Sequence, residues 1–189
     1  MKILLFTDCH PEFNWFEEVK SKSREADFLI HAGDFSNFAK GLDDALGKIN
    51  SLGKVCYVIH GNHEEGIDFA KLVLKYENLR YIHKKIVNHE GLTIGGYGGD
   101  GFSFEDSVFA KLFKNKKIDI LVTHGPAFNT KLDYLYDEHV GNITYREIIE
   151  KIKPKLHVSG HIHEKFGEVD NIDETILINP GPGGMLIEL

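Results

Sequence analysis

The chain has 189 residues, 42% of them hydrophobic, and a formal net charge of −7 at neutral pH. That length suits one domain over residues 1–189 with a sizeable core, and no charge run or low-complexity tract signals disorder. The acidic balance argues against an extended nucleic-acid surface, and no stretch reaches the roughly 18 apolar residues of a membrane span.

Strand-like and helix-like apolar periods alternate along the chain. Ile3–Phe6 reads as a strand, Trp15–Arg24 as a helix, Asp27–Ala32 as a strand, Phe38–Ser51 as a helix and Lys54–Ile59 as a strand. Ile67–Tyr76 follows as a helix, Leu92–Gly96 as a strand, Phe104–Lys114 as a helix and Asp119–Thr123 as a strand. Thr144-x-x-Glu147 predicts a capping box opening a helix over Tyr145–Ile152, which Pro154 stops. Lys155–Ser159 is then a strand, and Lys165–Val169, Thr175–Ile178 and Met185–Glu188 are short β candidates, expected to be antiparallel. Strands alternating with helices imply an α/β fold with a largely parallel or mixed sheet. Pro180-Gly181-Pro182-Gly183-Gly184 reads as a turn between two short strands.

Five polar motifs fall just after apolar runs: Asp8-Cys9-His10, Gly33-Asp34, Gly61-Asn62-His63-Glu64, Thr123-His124-Gly125-Pro126 and Gly160-His161-Ile162-His163. Ligands of open α/β sheets bind beyond the carboxyl ends of strands, so all five motifs should emerge on one rim. Asp, Asn and neutral His suit Zn²⁺, Mn²⁺ or Fe ions, and two such ions clamp an in-line displacement at phosphorus. In extended backbone Asp8 and His10 share a side and Cys9 faces away.

In that order, D-x-H, G-D, G-N-H-[DE], H-G and G-H-x-H resemble the calcineurin-like metallophosphoesterases, over residues 8 to 163. The second half of the pattern looks closest to the small phosphodiesterase-like branch that includes the metallophosphoesterase-domain proteins. The resemblance implies two mixed β-sheets packed as a sandwich flanked by helices. It implies that Asp8, His10 and His163 hold one metal, that Asn62, His124 and His161 hold a second, and that Asp34 bridges them. His63 would stand beside the substrate as the catalytic residue, protonating the leaving oxygen or stabilising developing charge. Two divalent ions, Mn, Zn, Fe or Ni, would leave a local surplus of positive charge at the rim of an acidic chain.

The implied activity is hydrolysis of a phosphate ester, nucleotides among them, by metal-activated hydroxide, with a phosphodiester favoured. A phosphomonoesterase is the near alternative, and a protein-binding scaffold like the retromer subunit of this fold is the rival of another class. Pro11 stands where many relatives have Gly, and Glu64 where Asp is common. The Asp-Arg-Gly of protein phosphatases is replaced by Gly33-Asp34-Phe35, which argues against protein phosphatase activity.

Other residues carry plainer expectations. His31 and His157 should be packed and hydrogen-bonded, and His83 and His89 surface or hairpin residues. His60 divides between supporting the site and structure, and His139 is a candidate for approaching substrate. Lys114, Lys116 and Lys117 suit a solvated helix end. Gly96-Tyr97-Gly98-Gly99-Asp100-Gly101 matches a dinucleotide fingerprint by letter, but lies too late in the chain for one. Cys9 and Cys56 make no disulfide framework, and Thr7-Asp8 ends the first apolar run too early for a signal peptide, so a cytoplasmic location is expected.

Overall fold

Alternation along the first strand sets the layers. In β1 (Lys2–Phe6), Ile3 and Leu5 pack into one apolar cluster while Leu4 and Phe6 pack into another. A strand buried on both faces reads as a continuous apolar run, and this is why Ile3–Phe6 does.

The structure is a computed structural model that describes residues 1–99 and 105–189. After β1 come α1 (Phe16–Ser23), β2 (Phe28–His31), α2 (Leu42–Asn50), β3 (Cys56–Val58), α3 (Phe69–Val73) and β4 (Leu79–Tyr81). Next are β5 (Lys85–His89), β6 (Leu92–Tyr97), α4 (Ser107–Phe113), β7 (Ile120–Thr123), and the short pair β8 (Tyr134–Leu135) and β9 (Glu138–His139). The chain closes with α5 (Ile143–Ile152), β10 (Leu156–Val158), β11 (Val169–Ile172), β12 (Thr175–Ile178) and β13 (Met185–Glu188).

Two mixed sheets result, ordered β13-β1-β2-β3-β4 and β11-β12-β10-β7-β6-β5. Strands β1 to β4 run parallel, with β13 antiparallel at one edge. In the second sheet β12, β10, β7 and β6 are parallel and both edge strands, β11 and β5, are antiparallel. Between the sheets lie Ile3, Leu5, Phe28, Ile30, Ile120, Val122 and Val158. Val19, Leu46, Ile49, Phe69 and Val73 seal the outer face of the first sheet, and Phe109, Phe113, Tyr145 and Ile149 that of the second. The architecture is a helix–sheet–sheet–helix sandwich. Among the described residues no helix is long and apolar enough to cross a membrane.

Several boundaries differ from the sequence expectation, each for a local reason. Asn37 and Lys40 pair across a tight turn with Phe38 and Ala39 at φ of 48° and 69°, and Gly41 follows at 84°, so α2 starts only at Leu42. The capping box at Thr144 does not form. Asn142 caps α5 by accepting from the Tyr145 N–H, while the Thr144 hydroxyl accepts from the Asp106 N–H. The strand expected at Lys165–Val169 is replaced by a 3₁₀ turn at His163–Lys165, with β11 beginning at Val169. The tail is not wholly antiparallel, because β12 joins β10 in parallel. The Pro180–Gly184 turn carries the chain from β12 in one sheet to β13 in the other. Strand β4 escaped the reading because Leu79-Arg80-Tyr81 is short and exposes Arg80. Phe104, Asp100 and Gly101 lie outside the described residues, and Gly96 and Tyr97 belong to β6.

Candidate metal centre

The carboxyl ends of both sheets open on the same side, and the five motifs leave from there. Asp8 follows β1, Asp34 follows β2, Asn62 follows β3, His124 follows β7 directly and His161 follows β10. The rim is therefore shared by two sheets, which brings Asn62 Oδ1 within 2.9 Å of His124 Nε2 and 3.0 Å of His161 Nδ1.

Extended alternation does not hold at the motifs. Asp8, Asp34 and His161 adopt left-handed backbone, with φ of 53°, 59° and 70°. Such φ values are uncommon for side-chain-bearing residues and are kept only where neighbours hold them. The Asp8 N–H donates to the Gly33 carbonyl at 2.9 Å, and the His161 N–H donates to the Asp8 carboxylate at 3.1 Å. Cys9 still packs inward among apolar residues, at 1% exposure, but because of this turn rather than strand alternation. The glycines are needed for close approach. A Cβ on Gly61 would collide with the Asp34 carboxylate, and one on Gly160 with Thr7 and Asp8.

Glu64 knits two of the loops together. Its fully buried carboxylate accepts from the Asp34 N–H and the Gly61 N–H at 3.1 Å each, the Phe35 N–H at 3.0 Å and the Ser36 hydroxyl at 2.7 Å. Burial, reinforced by Asp34, pushes Glu64 up to about 7.

Two of the histidines are fixed in the tautomer that ligation through Nε2 needs. His10 Nδ1 donates to the Ser36 carbonyl at 2.7 Å, and His124 Nδ1 to the Ala32 carbonyl at 2.9 Å. Each ring thus turns Nε2 toward Asp34 Oδ2, at 3.7 Å from His10 and 3.3 Å from His124. Such carbonyl partners are the usual orienting bonds of metal-binding histidines. His10 Nε2 is buried with no hydrogen-bond partner. A buried nitrogen left this way carries a desolvation cost unless something fills the space beside it.

The electrostatics say that the space wants positive charge. Burial alone would push His124 down, but the Asp34 carboxylate outweighs it and raises His124 to about 10. Burial would raise Asp34 and Asp8 too. His124 reverses this for Asp34, and the hydrogen bond from His163 followed by the charge of His124 reverses it for Asp8, so both carboxylates are held low. His163 is raised by that same bond, and His161 falls to about 4 through burial and the charge on His124. A cluster that pulls a proton onto His124 is one that would equally accept a divalent cation in its place.

Among the described residues, three groups have ligand atoms within 4.8 Å of one another: Asp8–His10–His163, Asp34–His124–His161 and His10–Asp34–His63. The first two, with Asn62 beside the second, contain all seven residues read from the sequence as metal ligands, and Asp34 and His10 occur in more than one group. The residues fit a metal centre. His63 lies at its edge, with its backbone N–H donating to Asp34 Oδ1 at 3.0 Å and its Nε2 3.8 Å from Asp34 Oδ2. The Phe38 N–H donates to His63 Nδ1 at 3.2 Å, which leaves the ring proton on Nε2.

Other histidines find different work. His31 Nδ1 accepts from the Gly33 N–H, and His157 bonds the Thr123 hydroxyl. His60 pairs with the Tyr81 hydroxyl, and His83 accepts from the Gly98 N–H. His139 donates to buried Asp133 at 2.8 Å and lines a cavity with Thr130 and Tyr134 other than the one lined by His161 and His163. Ser36 and the Ala32 carbonyl are supporting groups that the motifs do not announce, whereas Glu64 belongs to a motif itself. The one legible hint was the acidic residue closing Gly61-Asn62-His63-Glu64.

A two-sheet sandwich with clustered Asp and His at its carboxyl rim is the arrangement of a metallophosphoesterase. This chain belongs to the calcineurin-like phosphoesterase family, which it matches over residues 1–165, and membership supports phosphoester hydrolysis as its class of activity. It is 32% identical to an uncharacterised protein of Methanocaldococcus jannaschii, over 96% of this chain and 88% of that one. It is 30% identical to the metallophosphoesterase domain-containing protein 1 of Homo sapiens, over 75% of this chain and 55% of that longer protein. In fold it is similar to a crystal structure from Thermus thermophilus, with TM-score 0.75 at 14% identity, covering 95% of this chain and 88% of that one.

Proposed function

We propose that the chain hydrolyses a phosphodiester at a pair of divalent cations, Mn, Zn, Fe or Ni, held by Asp8, His10 and His163 on one side and Asn62, His124 and His161 on the other. Asp34 would lie between them, with Oδ2 turned toward both His10 and His124 and Oδ1 accepting from the His63 N–H. The observation that carries the reading is the convergence of His10 Nε2 and His124 Nε2 on Asp34 Oδ2 with their opposite nitrogens tied to carbonyls. Bound there, the ions would supply an activated water near neutral pH and positive charge for the phosphoryl oxygens.

The chain's own residues do the rest. Glu64 and the glycines fix the loops, so the ligands need not reorganise. His63 offers its Nε2–H to an oxygen of the reacting phosphate, a donor placed in advance where negative charge grows. The imidazolium form would set Nδ1–H against the Phe38 N–H, which favours charge stabilisation over proton transfer for this ring. Among the described residues no Lys or Arg lines the cavity at the cluster, which supports a monoanionic diester over a dianionic monoester.

The test is a screen of aryl and alkyl diesters and monoesters with protein reconstituted with each metal and assayed for bound equivalents. Metal-dependent turnover favouring diesters is expected. Faster turnover of monoesters would replace this reading by a phosphomonoesterase, and two bound metals with no turnover by a scaffold.

A further inference from the structure

The cavity beside the ligand cluster, about 550 Å³, is lined by residues of two kinds. Asp34, Asn62, His63, His161 and His163 form one. The other is Pro126, Ile162, Leu135 and Val140, and the remaining ionisable lining group is Glu164, which is acidic. Apolar lining beside a polar reacting centre is how small-molecule sites divide orientation from affinity.

The apolar wall is built rigidly. Leu135 ends β8 and Val140 follows β9, and this two-stranded hairpin turns through Tyr136 and Asp137 at φ of 50° and 65°. At its base, fully buried Asp133 accepts from the N–H groups of Asn129, Thr130 and Gly141, the Thr130 hydroxyl and His139 Nδ1, at 2.7–3.2 Å. His139 thus anchors the hairpin that presents Leu135 and Val140. A wall fixed before binding loses little freedom when a ligand covers it.

From this we infer that the alcohol portion of the substrate lies against Leu135, Val140, Pro126 and Ile162, so that the site selects phosphodiesters of an uncharged, apolar alcohol and rejects esters bearing a second anionic group. The inference rests on the phosphodiesterase reading above. One phosphate charge meets the ions. A second anion would be desolvated against aliphatic side chains, with no Lys or Arg among the described lining residues to pair it, and Glu164 would repel it.

The experiment uses Mn²⁺-loaded protein and methyl alkyl phosphodiesters from ethyl to hexyl, with a methyl 5-carboxypentyl ester as the charged comparator. Buried methylenes should raise kcat/KM by about two- to fourfold each, and the carboxylate should lower it at least tenfold against the hexyl ester. Calorimetric titration of the same chains as alkyl methylphosphonates should show the same trend in Kd, independent of turnover. Leu135→Lys should flatten the series and improve the carboxylate ester, and Val140→Ser repeats the first effect with a smaller change. Diester turnover with no dependence on chain length, or equal acceptance of the carboxylate, overturns the subsite and leaves the phosphodiesterase intact. Failure to turn over any diester overturns both.

Discussion

Replacing Glu64 by Gln tests whether the site's loops depend on one buried carboxylate. Oε2 takes the N–H groups of Asp34 and Gly61, neither of which can turn away, while Oε1 takes the Phe35 N–H and the rotatable Ser36 hydroxyl. A glutamine would therefore keep its oxygen at the first position and put its NH₂ at the second. Ser36 can reverse its hydroxyl, but the Phe35 N–H is left facing a donor, at a cost of about 1–3 kcal/mol. The sign with pH follows from the raised Glu64 value. Folded Glu64 titrates at about 7 against 4.5 unfolded, through burial and Asp34, so the native protein loses stability from this group as pH rises between those values. Glutamine has no such loss. In metal-free protein Glu64→Gln should thus be destabilised by about 1–3 kcal/mol near pH 5, and the deficit should narrow between pH 5 and 8. Urea unfolding at several pH values measures both. A variant as stable as the parent at pH 5, or a deficit that widens toward pH 8, refutes the reasoning.

Asp34→Asn should lose at least one metal equivalent and nearly all activity, because the amide has neither the charge nor a second anionic oxygen; two retained equivalents with most of the rate would end the bridging assignment. Metal uptake near pH 8 should release protons, since Asp34 holds His124 protonated up to about 10. Apparent affinity should climb about tenfold per pH unit for each proton displaced, and affinity flat from pH 7 to 9 by calorimetry would contradict this. His63→Ala should keep its metals and lose about 10²–10³ in kcat, by similar factors on alkyl and nitrophenyl diesters. A much larger loss on the alkyl ester would make the ring a general acid after all.

The layers and the gathering of the candidate ligands were legible because they rest on short-range signals. A doubly buried strand must be apolar throughout, as Ile3–Phe6 is, and the polar residues beyond its end leave the sheet, as Asp8 does. Convergence was legible for the same reason, since parallel strands end on one side. The geometry at each motif was not. Alternation assumed extended backbone at Asp8, whereas Asp8, like His161, is left-handed, the two being held by bonds to Gly33 and Asp8 that join residues up to 153 apart in sequence. No local pattern encodes such a bond. Thr144 failed as a cap for a related reason: its hydroxyl was claimed by Asp106, 38 residues away.

His139 shows how tertiary contact reassigns a residue. In sequence it lies in a loop after His124, close enough to suggest the substrate. In the fold its ring turns to Asp133, and the neighbours it thereby steadies, Leu135 and Val140, face the cavity instead. An aspartate can take five donors at once only if the chain returns to it from both sides, and Asn129, Thr130, His139 and Gly141 do so within a span that the sequence presents as a featureless loop. The polar groups of that loop are spent on building a surface, and the residues left to meet a ligand are the apolar ones. On the proposed reading, a site whose charge is concentrated in Asp8, Asp34 and the cations they would hold would discriminate among esters by what the phosphate carries rather than by the phosphate itself.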